Sequence, residues 1–176
     1  MNKTAFITGA GGYIGTQTAI TLAKEGINIA VCDISEKSVQ ATADKVNAIG
    51  GDAKGYVSDV TDSKAIEAAV QKAAADFGGL DIMVHIAGGS ARIAGGKYVP
   101  LVEQNDSVID RVLKVNLYGA FWASRAAAKI MIKQGRGGKI INFASAVGIN
   151  GLAHCCDYAA SKGGIMSLTK SLAKEL

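Results

Sequence analysis

Runs of apolar residues alternate along the chain with stretches whose apolar positions recur every three or four residues. The runs predict strands over 3–8, 28–32, 53–57, 81–86 and 139–143. The periodic stretches predict helices over 14–25, 36–49, 63–76, 104–134 and 158–176, the long fourth one with a joint near Asn116. A Gly-rich loop is expected over 88–100. The strands are short and several are apolar throughout, as strands buried on both faces of a parallel sheet are. A helix in every crossover then predicts an α/β fold with a doubly wound parallel sheet. No linker or repeat divides the chain, so residues 1–176 are expected to form a single domain.

Composition narrows the function classes. Hydrophobic residues make up 49% and aromatic ones only 6%, so Ala, Val, Ile and Leu must build the core. The net charge is +4, but Lys and Arg are spread among acids. The densest group, Arg125, Lys129, Lys133, Arg136 and Lys139, has mostly helical spacing and fits a solvated helix face. No nucleic acid partner is expected. Cys32, Cys155 and Cys156 are odd in number and lack metal-ligand spacing, so no metal site is expected. Free thiols suit a reducing compartment. The apolar run at the start is too short for a signal peptide, and none approaches the roughly 20 residues of a membrane helix. The expected location is the cytoplasm, with no membrane partner.

The first candidate chemistry lies between the first strand and the first helix, in Thr8-Gly9-Ala10-Gly11-Gly12-Tyr13-Ile14-Gly15. Glycines let the backbone turn tightly and approach a pyrophosphate, and the helix that follows points its free N–H groups at the phosphate. A Gly-rich turn is weak evidence alone, because tight turns without ligands are common. Asp33, at the end of the second strand, strengthens it. An acid there accepts hydrogen bonds from both ribose hydroxyls of NAD and repels the 2′-phosphate of NADP. NAD is therefore expected over NADP. The plainer alternative is that Asp33 only caps the turn before the second helix.

The second candidate is Tyr158 with Lys162, four apart on one face of a predicted helix. A free Tyr titrates near pH 10, and a close ammonium favours the phenolate. Such a pair can move a proton to or from a substrate oxygen. The spacing is not specific by itself, since five Tyr are present in a Lys-rich chain.

Tyr158-Ala159-Ala160-Ser161-Lys162 resembles the active-site signature of the short-chain dehydrogenase/reductase family. In that family a Ser precedes the Tyr just after the fifth strand, where Ser145 stands in Ile140-Ile141-Asn142-Phe143-Ala144-Ser145. Asn116-Leu117-Tyr118-Gly119 resembles the family's upstream helix segment, and Asp59-Val60 resembles its adenine contact. The resemblance implies a Rossmann fold and a hydride transfer between NAD(P) and an alcohol or ketone, with a homo-oligomer as the assembly. It implies Tyr158 as general acid/base, Lys162 on Tyr158 and the nicotinamide ribose, and Ser145 on the substrate oxygen. Asn116 would anchor a water that links Lys162 to solvent. Gly9, Gly12, Tyr13, Ile14, Gly15, Asp33, Asp59, Val60, Ala87 and Gly88 would join Tyr158 and Lys162 in holding the cofactor.

Three departures stand against the family pattern. Tyr13 takes the middle Gly position of the turn, leaving a Gly9, Gly12, Gly15 spacing like that of the epimerase-type branch, with Gly12 expected to supply the flexibility. The family's Asn-Asn-Ala-Gly becomes His85-Ile86-Ala87-Gly88, and His85 is expected to be a satisfied core histidine. The chain is expected to be C-terminally incomplete, lacking the final strands and the substrate lid. Two other readings compete: a non-catalytic nucleotide-binding or assembly module, and an epimerase-type relative.

Overall fold

In the computed structural model, which describes residues 2–176, the five strands form one parallel sheet. They are β1 (Thr4–Thr8), β2 (Asn28–Asp33), β3 (Ala53–Val57), β4 (Ile82–His85) and β5 (Lys139–Asn142), in the order β3-β2-β1-β4-β5. The crossovers run through α1 (Tyr13–Lys24), α2 (Glu36–Ala48) and α3 (Ser63–Phe77), then α4 (Asp106–Leu113) and α5 (Gly119–Gln134). A short α6 (Val147–Asn150) and a long α7 (Cys156–Glu175) follow β5.

Alternation along the strands makes the sheet doubly wound. Phe6 of β1 packs with Ala30, Ile66, Met83 and Ala127 on the α3/α5 side. Its neighbours Ala5 and Ile7 pack with Ala19, Val31, Val39 and Val46 on the α1/α2 side. Every residue of β1 is buried, whereas at the edges Lys54, Gly55 and Val57 of β3 and Lys139 and Ile141 of β5 are exposed. The central strands thus supply the continuous apolar runs. A third cluster, Ala120, Ile165 and Leu168, joins α5 to α7.

Helix starts follow local chemistry. Ser35 Oγ accepts from Ser38 N–H at the head of α2, and Asp62 accepts from the N–H groups of Lys64 and Ala65 at the head of α3. The predicted joint near Asn116 is a π-helical turn, Lys114–Tyr118, between α4 and α5. Such turns widen the helix locally and often occur at functional sites. Three features differ from expectation. The 88–100 loop carries a 3-10 turn, Ala91–Ala94, with another at Leu101–Glu103. The final helix begins at Cys156, two residues early, and α6 has too few residues for a periodic signal.

Register fixes where a ligand fits. Thr8 of β1 pairs with Cys32 of β2 on one side and with His85 of β4 on the other. The chain winds outward from β1 in both directions, so the crevice beyond the carboxyl ends of β1 and β4 is the topological switch point, where such sheets bind ligands. Among the described residues no helix is long and apolar enough to cross a membrane.

Candidate active site

The crevice is a cleft of about 560 Å³. Gly9, Gly12, Tyr13, Ile14, Gly15, Asp33, Val60, Ala87 and Gly88 all line it, and Asp59, Tyr158 and Lys162 of the predicted cofactor set do not. Ile34, Ser58, Ile86, Ile93, Arg111 and Val115 line it too and were not anticipated.

The turn into α1 is shaped by backbone contact. Gly9 is left-handed, at φ +65°, and a Cβ there would lie 2.6 Å from Ala87 N. A Cβ on Gly15 would collide with the Gly9 carbonyl. Gly12 has an ordinary φ of −77°, so the flexibility expected of Gly12 belongs to Gly9. Neither a side chain nor an acid in the first turn caps the start of α1. Its N–H groups are therefore free to face an anion in the cleft. Tyr13 opens the helix with 84% of its surface exposed, so its bulk does not crowd the turn.

Asp33 caps the turn before α2, as the plainer reading has it, and keeps acceptor positions open toward the cleft. Its Oδ1 accepts from Ser35 N–H at 3.1 Å, a turn before α2. Its Oδ2 accepts from Gly11 N–H at 3.1 Å, which ties the Gly-rich turn to the end of β2. A carboxylate has about four acceptor positions, so lone pairs remain for a ligand. Asp59, by contrast, turns its carboxylate to its own loop. Oδ1 accepts from Thr61 N and Oγ1, each at 2.8 Å, and Oδ2 lies 3.6 Å from Arg111 Nη1. Burial pushes that carboxyl up, but the Thr61 hydrogen bonds and the Arg111 charge outweigh it and hold it below its ordinary value. Val60, next in the chain, presents the apolar wall. Ser58 Oγ is buried without a hydrogen-bond partner.

Behind Gly88, outside the lining of the cleft itself, α7 brings Tyr158 and Lys162 together. Lys162 Nζ lies 5.7 Å from the Tyr158 ring centroid and donates to the Phe143 carbonyl, just past β5, at 2.6 Å. Only 4% of Lys162 is exposed, and burial lowers its ammonium to about 8. Asn116, fully buried in the π-turn, joins the same group. Its Oδ1 accepts from Gly89 N–H at 2.8 Å, and its Nδ2 donates to Gly89 O at 2.9 Å and to Ser161 Oγ at 2.8 Å. Ser161 in turn donates to Tyr158 O at 2.7 Å. A Cβ on Gly88 (φ +159°) would lie 2.6 Å from Asn116 Oδ1, so only glycine lets the loop after β4 pass this close. Ser145 stands in the loop after β5, its Oγ accepting from Val147 N–H at 3.3 Å. Among the described residues no hydrogen bond joins it to Tyr158.

His85 is buried as expected but only half satisfied. Nδ1 meets Thr8 Oγ1 at 2.9 Å, while Nε2 has no hydrogen-bond partner.

The arrangement can hold an anion at the head of α1, polar hydroxyls at Asp33 and a flat apolar group against Val60 and Ile34. A phenol and a buried ammonium stand behind Gly88. Comparison with known proteins identifies the family. A family model described as short chain dehydrogenase matches residues 3–176. A diacetyl reductase, (S)-acetoin forming, of Staphylococcus epidermidis is 38% identical over 176 residues, covering 100% of this chain and 66% of that protein. A 3-oxoacyl-[acyl-carrier-protein] reductase of Thermotoga maritima is 36% identical over 174 residues, 99% of this chain and 68% of the relative. The crystal structure of NAD+-bound xylitol dehydrogenase superposes with a TM-score of 0.92 at 35% identity, covering 98% of this chain and 64% of that one. The chain thus spans about two thirds of the length of these relatives.

Proposed function

Because the chain belongs to the short chain dehydrogenase family, we propose that it serves an oxidoreductase that binds NAD in the cleft and interconverts a small alcohol and ketone. The observation that carries the reading is the buried Lys162 ammonium, held by the Phe143 carbonyl 5.7 Å from the Tyr158 ring and packed behind Gly88, which lines the cleft that a Gly-rich turn opens. The residues present fit a dinucleotide. Glycine at 9 and 15 lets the turn close tightly on Ala87 and on itself, and the head of α1 is left uncapped toward the cleft.

The cofactor, when bound, supplies or accepts the hydride. The chain's own residues position the reactants and handle the proton. Tyr158 exchanges a proton with the substrate oxygen, as general acid in reduction and general base in oxidation. Lys162 places positive charge beside the ring and has hydrogens to give a ribose. Asn116 holds the Gly88-Gly89 strap against α7, and its relay water would connect Lys162 to solvent. Ser145 reaches the substrate oxygen by exchanging its Val147 bond.

Asp33 supports NAD over NADP, because its carboxylate stands where a 2′-phosphate would be repelled. Asp59 acts through Thr61 and Arg111 to fix the loop that carries Val60. Gly12, with its ordinary backbone, lends the epimerase-type alternative no conformational support. The reading includes a homo-oligomer, since Tyr118, Phe121 and Ile132 stay exposed along α5 and its π-turn. Free Cys32, Cys155 and Cys156 suit the reducing cytoplasm.

The test is NADH oxidation, followed by absorbance, with a panel of butane-2,3-dione, a β-ketoacyl thioester and a ketose. Turnover with any of them supports the reading. NADH binding without turnover on any would leave a nucleotide-binding module in its place.

A further inference from the structure

His85 ends β4, paired with Thr8 of β1 on one side and Asn142 of β5 on the other, and 1% of it is exposed. Among the described residues Thr8 Oγ1 has no acceptor for its hydroxyl proton other than His85 Nδ1, 2.9 Å away, while Ala87 N–H already donates to that oxygen at 3.4 Å, so the hydroxyl proton is assigned to Nδ1. Burial, with the Lys162 charge adding, lowers the imidazole to about 3, which keeps it neutral. A neutral ring that accepts at Nδ1 carries its proton on Nε2. That N–H is buried with no closed hydrogen bond, a state buried polar groups rarely keep.

What faces the ring is the π-turn. A Cβ at Gly119, the first residue of α5 directly after the π-turn, would lie 3.1 Å from Cε1, the carbon between the two nitrogens. The main chain of Asn116 is near enough to favour the ring's proton, though short of full hydrogen-bond geometry. A π-turn displaces carbonyls from the regular ladder and leaves them open to an outside donor. Catalytic hydrogen bonds are often long in a ligand-free protein and tighten in the complex.

We propose that His85 is a positioning residue: Thr8 holds it as the Nε2–H tautomer, and its second N–H braces the π-turn so that the Asn116 amide stays locked between Gly89 and Ser161. A polar chain then runs from Thr8, beside the nucleotide turn, through His85 and Asn116 to Ser161, the neighbour of Lys162. The consequence for turnover rests on the function proposed above, whereas the tautomer and the brace do not.

The test combines nitrogen-15 spectra of the histidine rings with two variants. His85→Asn places an amide near Nδ1, and His85→Gln places one near Nε2. In the unmodified chain at neutral pH, Nε2 should carry the proton and Nδ1 should not. The Asn116 side-chain amide should exchange slowly in the unmodified chain and in His85→Gln, and exchange about tenfold or more faster in His85→Asn. With NADH and butane-2,3-dione, kcat should fall by about tenfold in His85→Asn and much less in His85→Gln, at similar KM for NADH. A proton on Nδ1, an imidazolium, or equal Asn116 exchange in both variants would overturn the proposal. So would losses that only follow Tm in both. The tautomer is read on the unmodified chain, so it stands even if neither variant folds. A chain with the expected tautomer and exchange but no turnover would count against the oxidoreductase reading and leave the brace in place.

Discussion

Replacing Lys162 by Met should change the pH dependence of folding in a defined window. Burial lowers the native ammonium to about 8 from the ordinary 10.5. Between those values the unfolded chain keeps a proton that the native chain has released, so stability climbs with pH. Each pH unit there is worth about 1.4 kcal/mol, about 3 kcal/mol across the window, and the gain is lost as pH falls through about 8. Cys32 works the other way. Burial, then the charge of Asp33, raises its thiol to about 12, so the unfolded chain ionises first and stability declines above about pH 9. Tyr56, raised by burial and by its bond to Asp76, adds to that decline at higher pH. Both survive in the variant, so the difference between the two proteins isolates Lys162. Urea unfolding at a series of pH values from 7 to 10.5 measures it. The loss of a donor to the Phe143 carbonyl costs the variant about 1–3 kcal/mol, which offsets the relief of a buried charge near pH 7. The two proteins should therefore be close in stability at pH 7, with the unmodified chain ahead by about 3 kcal/mol more at pH 10.5. A difference that stays flat across the window would refute the buried ammonium and the electrostatic account built on it.

Two other substitutions probe the nucleotide end. Asp33→Ala should narrow the affinity gap between NAD and NADP by about 1–3 kcal/mol in parallel calorimetric titrations, and an unchanged gap would remove Asp33 from the ribose. Gly9→Ala must hold a side chain at φ +65° with its Cβ 2.6 Å from Ala87 N. The strain alone is about 1–2 kcal/mol, so Tm should fall and NAD binding weaken by tenfold or more, while near-normal binding would show that the turn tolerates a shift.

The sheet was legible because its central strands are buried on both faces and so print unbroken apolar runs, as in Thr4–Thr8. The meeting of Tyr158 with Lys162 could be read from a four-residue helical spacing, and the place of Gly9 and Asp33 on the cleft from their positions at strand ends. Arg111 could not be read so, since it reaches the cleft and Asp59 only through the packing of α4 on the loop after β3, 50 residues away at its Thr61 contact. Ser58 and Ile34 follow strand ends, where only the register of the sheet decides which side chain faces the cleft. The joint at Asn116 could be placed from the sequence, but its π geometry depends on the buried amide bonds to Gly89 and Ser161. His85 had the right burial and the wrong bonding, because the state of its second nitrogen is set by Thr8 and by the π-turn together.

The most direct test of the central claim is a matched pair of measurements on Tyr158→Phe and the unmodified chain, NADH affinity by fluorescence titration and NADH oxidation with the ketone that turns over fastest. NADH affinity should stay within about twofold and turnover should fall by roughly a hundredfold or more, the size of a general acid/base contribution. Near-normal turnover in the Phe variant would contradict that claim, and the proton would have to be sought from another group.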